Sequence, residues 1–218
     1  MKKTSKKFSE ISKSTIDRYS KRLDVYGNDI KTLGWGNESQ QSYRFRHTLD
    51  AADFTQKSIL DIGCGFGDYY KFLKSAKIAV SAYTGWDINQ KLIDEIHLEE
   101  RKNKTFEVVD LAKDVSKYRS QFDIAVMIGL LNVNLGDEDL NYEYSERLIT
   151  NAFSAVKEVL IVDFLSIHVT DTYPKEDFVF YHDFSRMFEF ALTLSNNVVL
   201  KHNYDPIPQK EFMLYIYK

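Results

Sequence analysis

Short apolar runs alternate with longer amphipathic segments along most of this chain, beginning near residue 58. The apolar runs predict β-strands at 59–62, 83–87, 105–110, 122–129 and 159–165. The run 122–129 shows little alternation of polar and apolar residues, which is typical of a parallel strand covered on both faces. Because helical segments separate these runs, the pattern predicts an α/β fold with a doubly wound, mostly parallel sheet.

The segments between the runs carry apolar residues at helical spacing. They predict helices at about 68–76, 89–101, 142–156 and 183–194, with Asn89 and Asp183 as candidate N-caps. The tail differs, because two strands, 198–204 and 212–217, follow each other with no obvious helix between them. Such a pair forms a hairpin that places one antiparallel strand in the sheet, which then has seven strands.

The first predicted strand runs into a glycine-rich turn. Asp61 lies near its end, and Gly63, Gly65 and Gly67 follow at intervals of two. Glycine permits positive φ angles and the close approach of a ligand, because it has no Cβ atom. The second strand ends at Asp87, about twenty residues beyond the last glycine, which is the spacing expected for a carboxylate that binds ribose hydroxyls. Together these features indicate a nucleoside-bearing cofactor, although the glycines alone also fit a structural strand-to-helix turn.

The sequence around these residues resembles class I S-adenosylmethionine-dependent methyltransferases. Their motif I is matched by LDIGCGFGDYYKFL, and the acidic motif that follows it by YTGWDIN. The glycine pattern is acidic-x-Gly-x-Gly-x-Gly, whereas a dinucleotide-binding Rossmann dehydrogenase requires G-x-G-x-x-G. A bacterial subset of this family, of unassigned substrate, carries a similar YG...LGWG...S run and an HDY...FE...Y ending. The ending departs here at Asn203.

The resemblance implies a Rossmann-like methyltransferase fold with S-adenosylmethionine as the cofactor. In that family the glycine loop takes the methionine part, the acid after the second strand takes the ribose, and the end of the third strand takes the adenine. The implied cofactor-binding residues are Asp61, Gly63, Cys64, Gly65, Gly67, Asp87, Ile88, Asp110, Leu111, Ile128 and Gly129. For Asp110 a second interpretation stays open, in which its carboxylate caps the next turn. Cys64 is expected as a small residue between glycines and not as a nucleophile.

Length and composition favour one core with an N-terminal extension. The chain has 218 residues, of which 44% are hydrophobic. We predict a helical extension and candidate lid at 1–58 and a catalytic domain that binds S-adenosylmethionine at 59–218. No apolar segment follows the basic start, and no apolar run is long enough to span a bilayer, so we expect neither a secretory signal nor a membrane partner. The single cysteine excludes an internal disulfide and fits a cytoplasmic protein.

The net charge of -3 gives no general attraction to polyanions. Basic residues nevertheless gather near the start of the chain: Lys2, Lys3, Lys6, Lys7, Lys13, Arg18, Lys21 and Arg22. Both a nucleic-acid-binding arm and a frayed, solvated terminus fit this composition, and the frayed terminus is favoured. We therefore expect a small-molecule acceptor and no nucleic-acid partner.

Candidate catalytic residues follow the fifth strand. A general base helps methyl transfer when the acceptor is a hydroxyl or a protonated amine. His168 is the first candidate and His182 the second, although His182 also fits a residue that merely precedes the cap Asp183. The five histidines are scattered and no paired cysteines occur, so no metal site is expected.

The N-terminal extension combines glycines, aromatic residues and arginines, as mobile lids do. Trp35, Arg44 and Arg46 are the candidate substrate-binding residues, because a guanidinium binds carboxylate or phosphate through paired hydrogen bonds. A second interpretation of Trp35 is that it fastens an N-terminal helix to the core.

These observations predict a methyltransferase that acts on a small polar or anionic metabolite by O- or N-methylation. Two alternatives stay open. One is an RNA or protein methyltransferase that docks through the basic N-terminus, and the other is a noncatalytic regulator that binds the cofactor.

Overall fold

A seven-stranded sheet organises the computed structural model, which describes residues 2–171, 174–203 and 210–218. The strands are β1 (Ser58–Ile62), β2 (Ala82–Asp87), β3 (Thr105–Val108), β4 (Phe122–Met127), β5 (Val156–Leu165), β6 (Val198–Lys201) and β7 (Glu211–Tyr217). Their order across the sheet is β3-β2-β1-β4-β5-β7-β6. β7 runs antiparallel to β5 and β6, and the remaining neighbours pair in parallel. The predicted doubly wound sheet with one antiparallel strand in a C-terminal hairpin is confirmed.

Helices cover the sheet and its carboxyl edge. They are α1 (Lys2–Tyr26), α2 (Glu38–Thr48), α3 (Asp68–Ser75), α4 (Gln90–Asp94), α5 (Leu98–Arg101), α6 (Glu138–Ala155) and α7 (Phe184–Leu194). Both predicted caps are present: the side chain of Asn89 accepts from the Lys91 N–H at 3.0 Å, and that of Asp183 accepts from the Ser185 N–H at 2.8 Å. These hydrogen bonds satisfy amide groups at helix starts that lack a partner within the helix.

Some boundaries differ from those predicted. The segment 89–101 forms two short helices, because the Arg101 side chain donates to the carbonyl of Ile96 at 3.2 Å and so closes the turn between them. β3 and β4 end before residues 110 and 129, so Asp110 and Gly129 lie in loops at the carboxyl edge. β6 ends at Lys201, and position 204 of the predicted strand lies outside the described residues.

The basic N-terminus is a helix and not the frayed segment that its composition favoured. Phe8 and Ile11 of α1 are buried in the main core, and the Phe8 ring meets Tyr144 edge-on at 5.4 Å. The side-chain amide of Asn89 donates to the Ile16 carbonyl at 3.3 Å and to the Ser20 hydroxyl at 3.2 Å. Tertiary packing of one apolar face therefore stabilises this helix, although its outer face is basic.

The C-terminal hairpin places α2 beside the sheet. The Tyr215 hydroxyl donates to the carbonyl of His47 at 2.6 Å, and the Tyr217 hydroxyl donates to that of Ala51 at 2.9 Å. Both acceptors lie at or just after the end of α2, so strand β7 fixes the position of this helix. Among the residues described, no helix is long and apolar enough to cross a membrane.

Candidate active site

The glycine turn after β1 adopts the left-handed backbone that its sequence predicts. The φ angles of Gly63, Gly65 and Gly67 are +78°, +50° and +73°, values that other residues rarely adopt. The N–H groups of Gly63 and Cys64 donate to the carbonyl of Trp86 at 2.7 and 3.0 Å. These bonds hold the turn against the end of β2, at the carboxyl edge where ligands of open α/β sheets bind.

Asp87 closes β2 and contacts the same turn. Its carboxylate accepts from the Gly65 N–H at 3.0 Å and from the Asn89 N–H at 2.8 Å. Burial raises the pKa of Asp87, while hydrogen bonds from the backbone of Asn89, Gly65 and Ile88 oppose that shift. The carboxylate is thus oriented before any ligand arrives.

Asp61 is a second buried acid at this turn. The hydroxyl of Tyr83 donates to its carboxylate. Burial raises the pKa of Asp61 to about 7, and the neighbouring charges of Asp68 and Asp87 act in the same direction. A ligand with a positive charge would stabilise the ionised form of such a buried carboxyl.

Cys64 packs as an apolar residue. Its side chain is buried in a small cluster with Ile93 and Ile96, and burial raises the pKa of the thiol well above its usual value. The thiol therefore stays protonated and is a poor nucleophile. This agrees with its expected role as a small residue between glycines.

Asp110 has both features that its sequence left open. Its carboxylate accepts from the Ala112 N–H at 3.1 Å, as a turn cap does, and lies 3.2 Å from the Lys113 ammonium. Asp110 and the buried Leu111 also line the cavity described next. Capping and ligand contact are thus compatible at this position.

One cavity at the carboxyl edge collects nearly all of the predicted cofactor-binding positions. Those that line it are Asp61, Gly63, Cys64, Gly65, Asp87, Ile88, Asp110, Leu111, Ile128 and Gly129. Gly67 is the exception, because it lies at the N-cap of α3 and faces the Phe106 ring.

The family model of the methyltransferase domain matches residues 59–160, which contain all of these positions. Residues 59–160 of this chain are therefore a methyltransferase domain, and S-adenosylmethionine is its cofactor. Among curated proteins, no sequence matches it.

Solved methyltransferase structures share the fold of this methyltransferase at low identity. Magnesium protoporphyrin IX methyltransferase from Synechocystis PCC 6803, with bound S-adenosylhomocysteine, is 15% identical with a TM-score of 0.63, over 95% of this chain and 99% of that one. An S-adenosylmethionine-dependent methyltransferase from Mesorhizobium loti is 13% identical with a TM-score of 0.59, over 81% of this chain and 96% of that one. The small RNA methyltransferase HEN1 is 15% identical with a TM-score of 0.59, over 83% of this chain and 25% of that one. These names include a porphyrin enzyme and an RNA enzyme, so the shared fold leaves the acceptor open.

The N-terminal extension covers the cavity of the methyltransferase. Ile11, Thr15 and Tyr19 of α1 line it, together with Leu33 and Trp35 from the segment between α1 and α2. The sequence did not lead us to predict these three residues of α1 as lining residues, because the basic composition of the segment indicated a solvated terminus. Their spacing of four, on the same helical face as Phe8, was the signal available.

Leu33 and Trp35 lie directly on two glycines of the cavity floor. A Cβ atom on Gly65 would lie 2.8 Å from the Leu33 side chain, and one on Gly129 would lie 2.7 Å from the Trp35 ring. A side chain at either position would force Leu33 or Trp35 to move, and both glycines also have positive φ angles, so glycine fits there without a shift. The segment therefore forms part of the cavity wall and does more than attach the N-terminal helix to the core.

The structure does not bring the two predicted arginines into the cavity. Arg44 is buried and forms ion pairs with Glu211 and, at 3.8 Å, with Asp163. Arg46 is exposed, and its guanidinium lies 5.6 Å from the centre of the Tyr43 ring. Spacing along a helix explains the difference, because residues two positions apart point in different directions.

Neither predicted histidine lines the cavity. His168 is exposed, with its ring centre 5.4 Å from that of Phe184. His182 is fully buried, and burial lowers its pKa to about 3, so the imidazole stays neutral. Its Nε2 atom lies 3.1 Å from the hydroxyl of Ser145, which does line the cavity. His182 therefore meets the cavity only through that serine.

Proposed function

We propose that this methyltransferase methylates a hydroxyl or amine of a small polar acceptor that binds inside the cavity beneath α1. The observation that carries the proposal is the cover that α1, Leu33 and Trp35 form over the carboxyl edge. A covered cavity admits a small molecule more readily than a folded macromolecule. When bound, S-adenosylmethionine supplies an electrophilic methyl group.

The cavity fits this cofactor. Gly63 and Gly65 line it with positive φ angles, and the atoms next to them are the ends of the Leu130 and Leu33 side chains, which can move when a ligand approaches the backbone. Asp61 suits the ammonium of the methionine part, and Asp87 suits the two ribose hydroxyls. Asp110, with its neighbour Leu111, suits the adenine.

At the far side of β1, Ile128 and Gly129 belong near the sulfonium. Gly129 follows the end of β4 with φ +74° and its N–H fixed by Asp163 at 2.6 Å. The loop that holds Gly129 starts next to the end of β1, because β4 pairs directly with β1. We assign Ile88, which follows Asp87 and lines the cavity, to the ribose side.

The polar groups that remain for the acceptor are mostly uncharged. The uncharged ones are Thr15, Tyr19, Gln41, Tyr69, Asn141, Tyr144 and Ser145, and Asp68 is the one charged group among them. No lysine or arginine occurs among the lining residues of the described chain. The reason for an anionic acceptor was the two arginines, and since both lie elsewhere, we propose an uncharged polar acceptor.

Methyl transfer here depends chiefly on orientation and on exclusion of water. No histidine lines the described part of the cavity, and the low pKa of His182 keeps its imidazole from taking up a second proton near neutral pH. The neutral imidazole instead fixes the Ser145 hydroxyl, so that serine is a candidate hydrogen-bonding partner of the acceptor. Holding reactants in line and away from water lowers the barrier without a strong base.

A second candidate acceptor, RNA, is favoured by one observation. Lys6, Lys7, Lys13 and Lys21 of α1 are all exposed. A basic surface of this kind attracts polyanions. The inner face of the same helix covers the cavity, however, and this favours the small acceptor.

Transfer of a labelled methyl group from S-adenosylmethionine distinguishes the two acceptors. The protein would be incubated separately with small-molecule, RNA and protein fractions of a cell extract. We expect label in the small-molecule fraction, and much less of it with an Asp87→Ala variant when S-adenosylmethionine is not saturating. Label in RNA or protein alone would overturn the small-acceptor proposal while leaving the cofactor assignment in place.

A further inference from the structure

Arg44 joins three parts of the methyltransferase that are distant in sequence. It lies on α2, and its guanidinium pairs with Asp163 of β5 and Glu211 of β7. It also lies over the Trp35 ring, 4.7 Å from its centre. All three partners are at least partly buried, and Asp163 and Glu211 are almost fully so. A buried arginine that contacts two strands and an aromatic ring has a fixed orientation.

Asp163 extends this cluster to the cavity. The second oxygen of its carboxylate accepts the Gly129 N–H at 2.6 Å. Gly129 lines the cavity and adopts a left-handed backbone, with φ +74°. A charged acceptor holds an amide more strongly than a neutral one does, so an ionised Asp163 restrains this turn.

Trp35 packs against Gly129 where a Cβ atom would lie. The ring is so close that a Cβ atom on Gly129 would lie 2.7 Å from it. The guanidinium of Arg44 lies over the same ring. Arg44 thus contacts the cover of the cavity directly and the floor through one carboxylate.

The charge of Arg44 is needed to keep Asp163 ionised. Burial raises the pKa of Asp163 to about 6, and Arg44 and the Gly129 N–H oppose that shift. Without the guanidinium, Asp163 and Glu211 would face each other as two buried acids, and at least one would take up a proton.

We propose that Arg44 is a positioning residue that holds the Gly129 turn and the Trp35 ring against each other beside the bound cofactor. This inference rests on the proposed function, because it assumes that the cofactor lies against Gly129. It assigns Arg44 a role other than the acceptor anchor suggested by the sequence.

Binding of S-adenosylhomocysteine, measured by calorimetry, tests the inference. Arg44→Lys keeps the charge but cannot stack and pair in the same way. We expect about a tenfold loss of affinity, because lysine cannot pair with both carboxylates and lie over the Trp35 ring at once. The loss of one hydrogen bond to a charged group has an effect of about this size. The exposed neighbour on the same helix supplies the control: Arg46→Met should stay within about twofold of the wild type.

A second variant guards against failure to fold. Arg44→Met combined with Glu211→Gln removes one positive and one negative charge together, so the net charge of the cluster is unchanged. We expect at least the same loss of affinity, and a shift of the Gly129 amide signal in the nuclear magnetic resonance spectrum. Asp87→Ala, measured in parallel, reports on the cofactor site itself.

The outcomes separate cleanly. Folded Arg44 variants with wild-type affinity and a lower melting temperature would show a purely structural arginine and overturn the inference, provided that Asp87→Ala loses affinity. Wild-type affinity in all variants, Asp87→Ala included, would instead overturn the assignment of the cofactor site. Reduced affinity in both Arg44 variants, with Arg46→Met unchanged, would support the positioning role.

Discussion

The carboxylate of Asp87 accepts a hydrogen bond from the backbone N–H of Gly65 at 3.0 Å. The same carboxylate accepts from the N–H of Asn89, whose side chain in turn donates to the Ile16 carbonyl of α1. One acid therefore links the glycine turn, the end of β2 and, through one residue, the helix that covers the cavity. This arrangement makes the ribose corner of the proposed site sensitive to a single substitution.

Asp87→Ala should weaken the binding of S-adenosylhomocysteine by about 1–3 kcal/mol, because two ribose hydroxyls lose a charged acceptor. Calorimetry on the folded variant checks this. Asp114→Ala is a suitable control, since Asp114 is exposed and caps a turn through the Ser116 N–H at 2.8 Å without lining the cavity. Wild-type affinity in Asp87→Ala would remove this residue from the site.

Gly129→Ala should reduce cofactor affinity more than its backbone strain alone explains. The residue has φ +74°, and the added methyl would meet the Trp35 ring at 2.7 Å. Gly136 provides a matched control, because its φ is +78° and nothing lies within 4 Å of an added Cβ. The left-handed backbone costs both variants about 1–2 kcal/mol, so the difference between their unfolding free energies isolates the contact with Trp35. The difference between their S-adenosylhomocysteine affinities reports in addition on the cofactor beside Gly129. Equal effects in the two variants would contradict the close packing of Trp35.

Cofactor binding near pH 6 should release a proton from Asp61. Burial raises the pKa of Asp61 to about 7, so at pH 6 the free protein holds most of this carboxyl protonated. The ammonium of the methionine part favours the ionised form and lowers the pKa in the complex. The release should disappear above about pH 8, where the free protein has already lost the proton.

Calorimetry of S-adenosylhomocysteine binding in buffers with different heats of ionisation measures this release directly. Asp61→Asn should abolish the dependence on buffer while leaving the carboxylate of Asp87 in place. Identical heats in all buffers near pH 6, for a protein that binds the ligand, would show that the ammonium does not meet Asp61.

Trp35 should become less accessible when the cofactor binds. If residues 27–37 close over the ligand, cleavage by chymotrypsin beside Trp35 should slow in the presence of S-adenosylhomocysteine, because closure buries flexible backbone. Gly27 and Gly34, with φ +62° and +90° and no neighbour within 4 Å of an added Cβ, are candidate hinges. Cleavage at a constant rate would leave Trp35 as a fixed part of the wall.

The sheet and the glycine turn at its carboxyl edge were predictable because local patterns determine them. The apolar runs that end near Asp61 and at Asp87 predict both a strand and the residue at its carboxyl end. Because the two strands are parallel, their carboxyl ends lie at the same edge of the sheet. The left-handed glycines are equally local, since only glycine fits their φ angles easily. Most of the cavity floor therefore follows from short stretches of sequence.

The acceptor side was less predictable because long-range packing determines it. Arg44 has the composition of an anion-binding residue, yet β5 and β7 supply two buried acids that pair with it. His182 directly precedes a helix cap, but its environment is set by Ser145 and by the rings around it. No local spacing in the sequence carries that information.

Charge reversal on the outer face of α1 should separate the two candidate acceptors. Lys6, Lys7, Lys13 and Lys21 are exposed, whereas Tyr19 of the same helix lines the cavity. Replacing the four lysines by glutamate should keep S-adenosylhomocysteine affinity within about twofold, as surface changes usually do. Tyr19→Ala should lower it, because the cavity loses part of its cover.

Methyl transfer to the small-molecule fraction should likewise survive the four lysine changes, because those side chains face solvent. Transfer to RNA would instead fall steeply, and the remaining transfer would depend less on salt, since fewer phosphate contacts release fewer counterions. Loss of all acceptor methylation in the lysine variant, with cofactor affinity intact, would place the acceptor on the outer face of α1. The cavity would then serve the cofactor alone, and the acceptor would be a macromolecule.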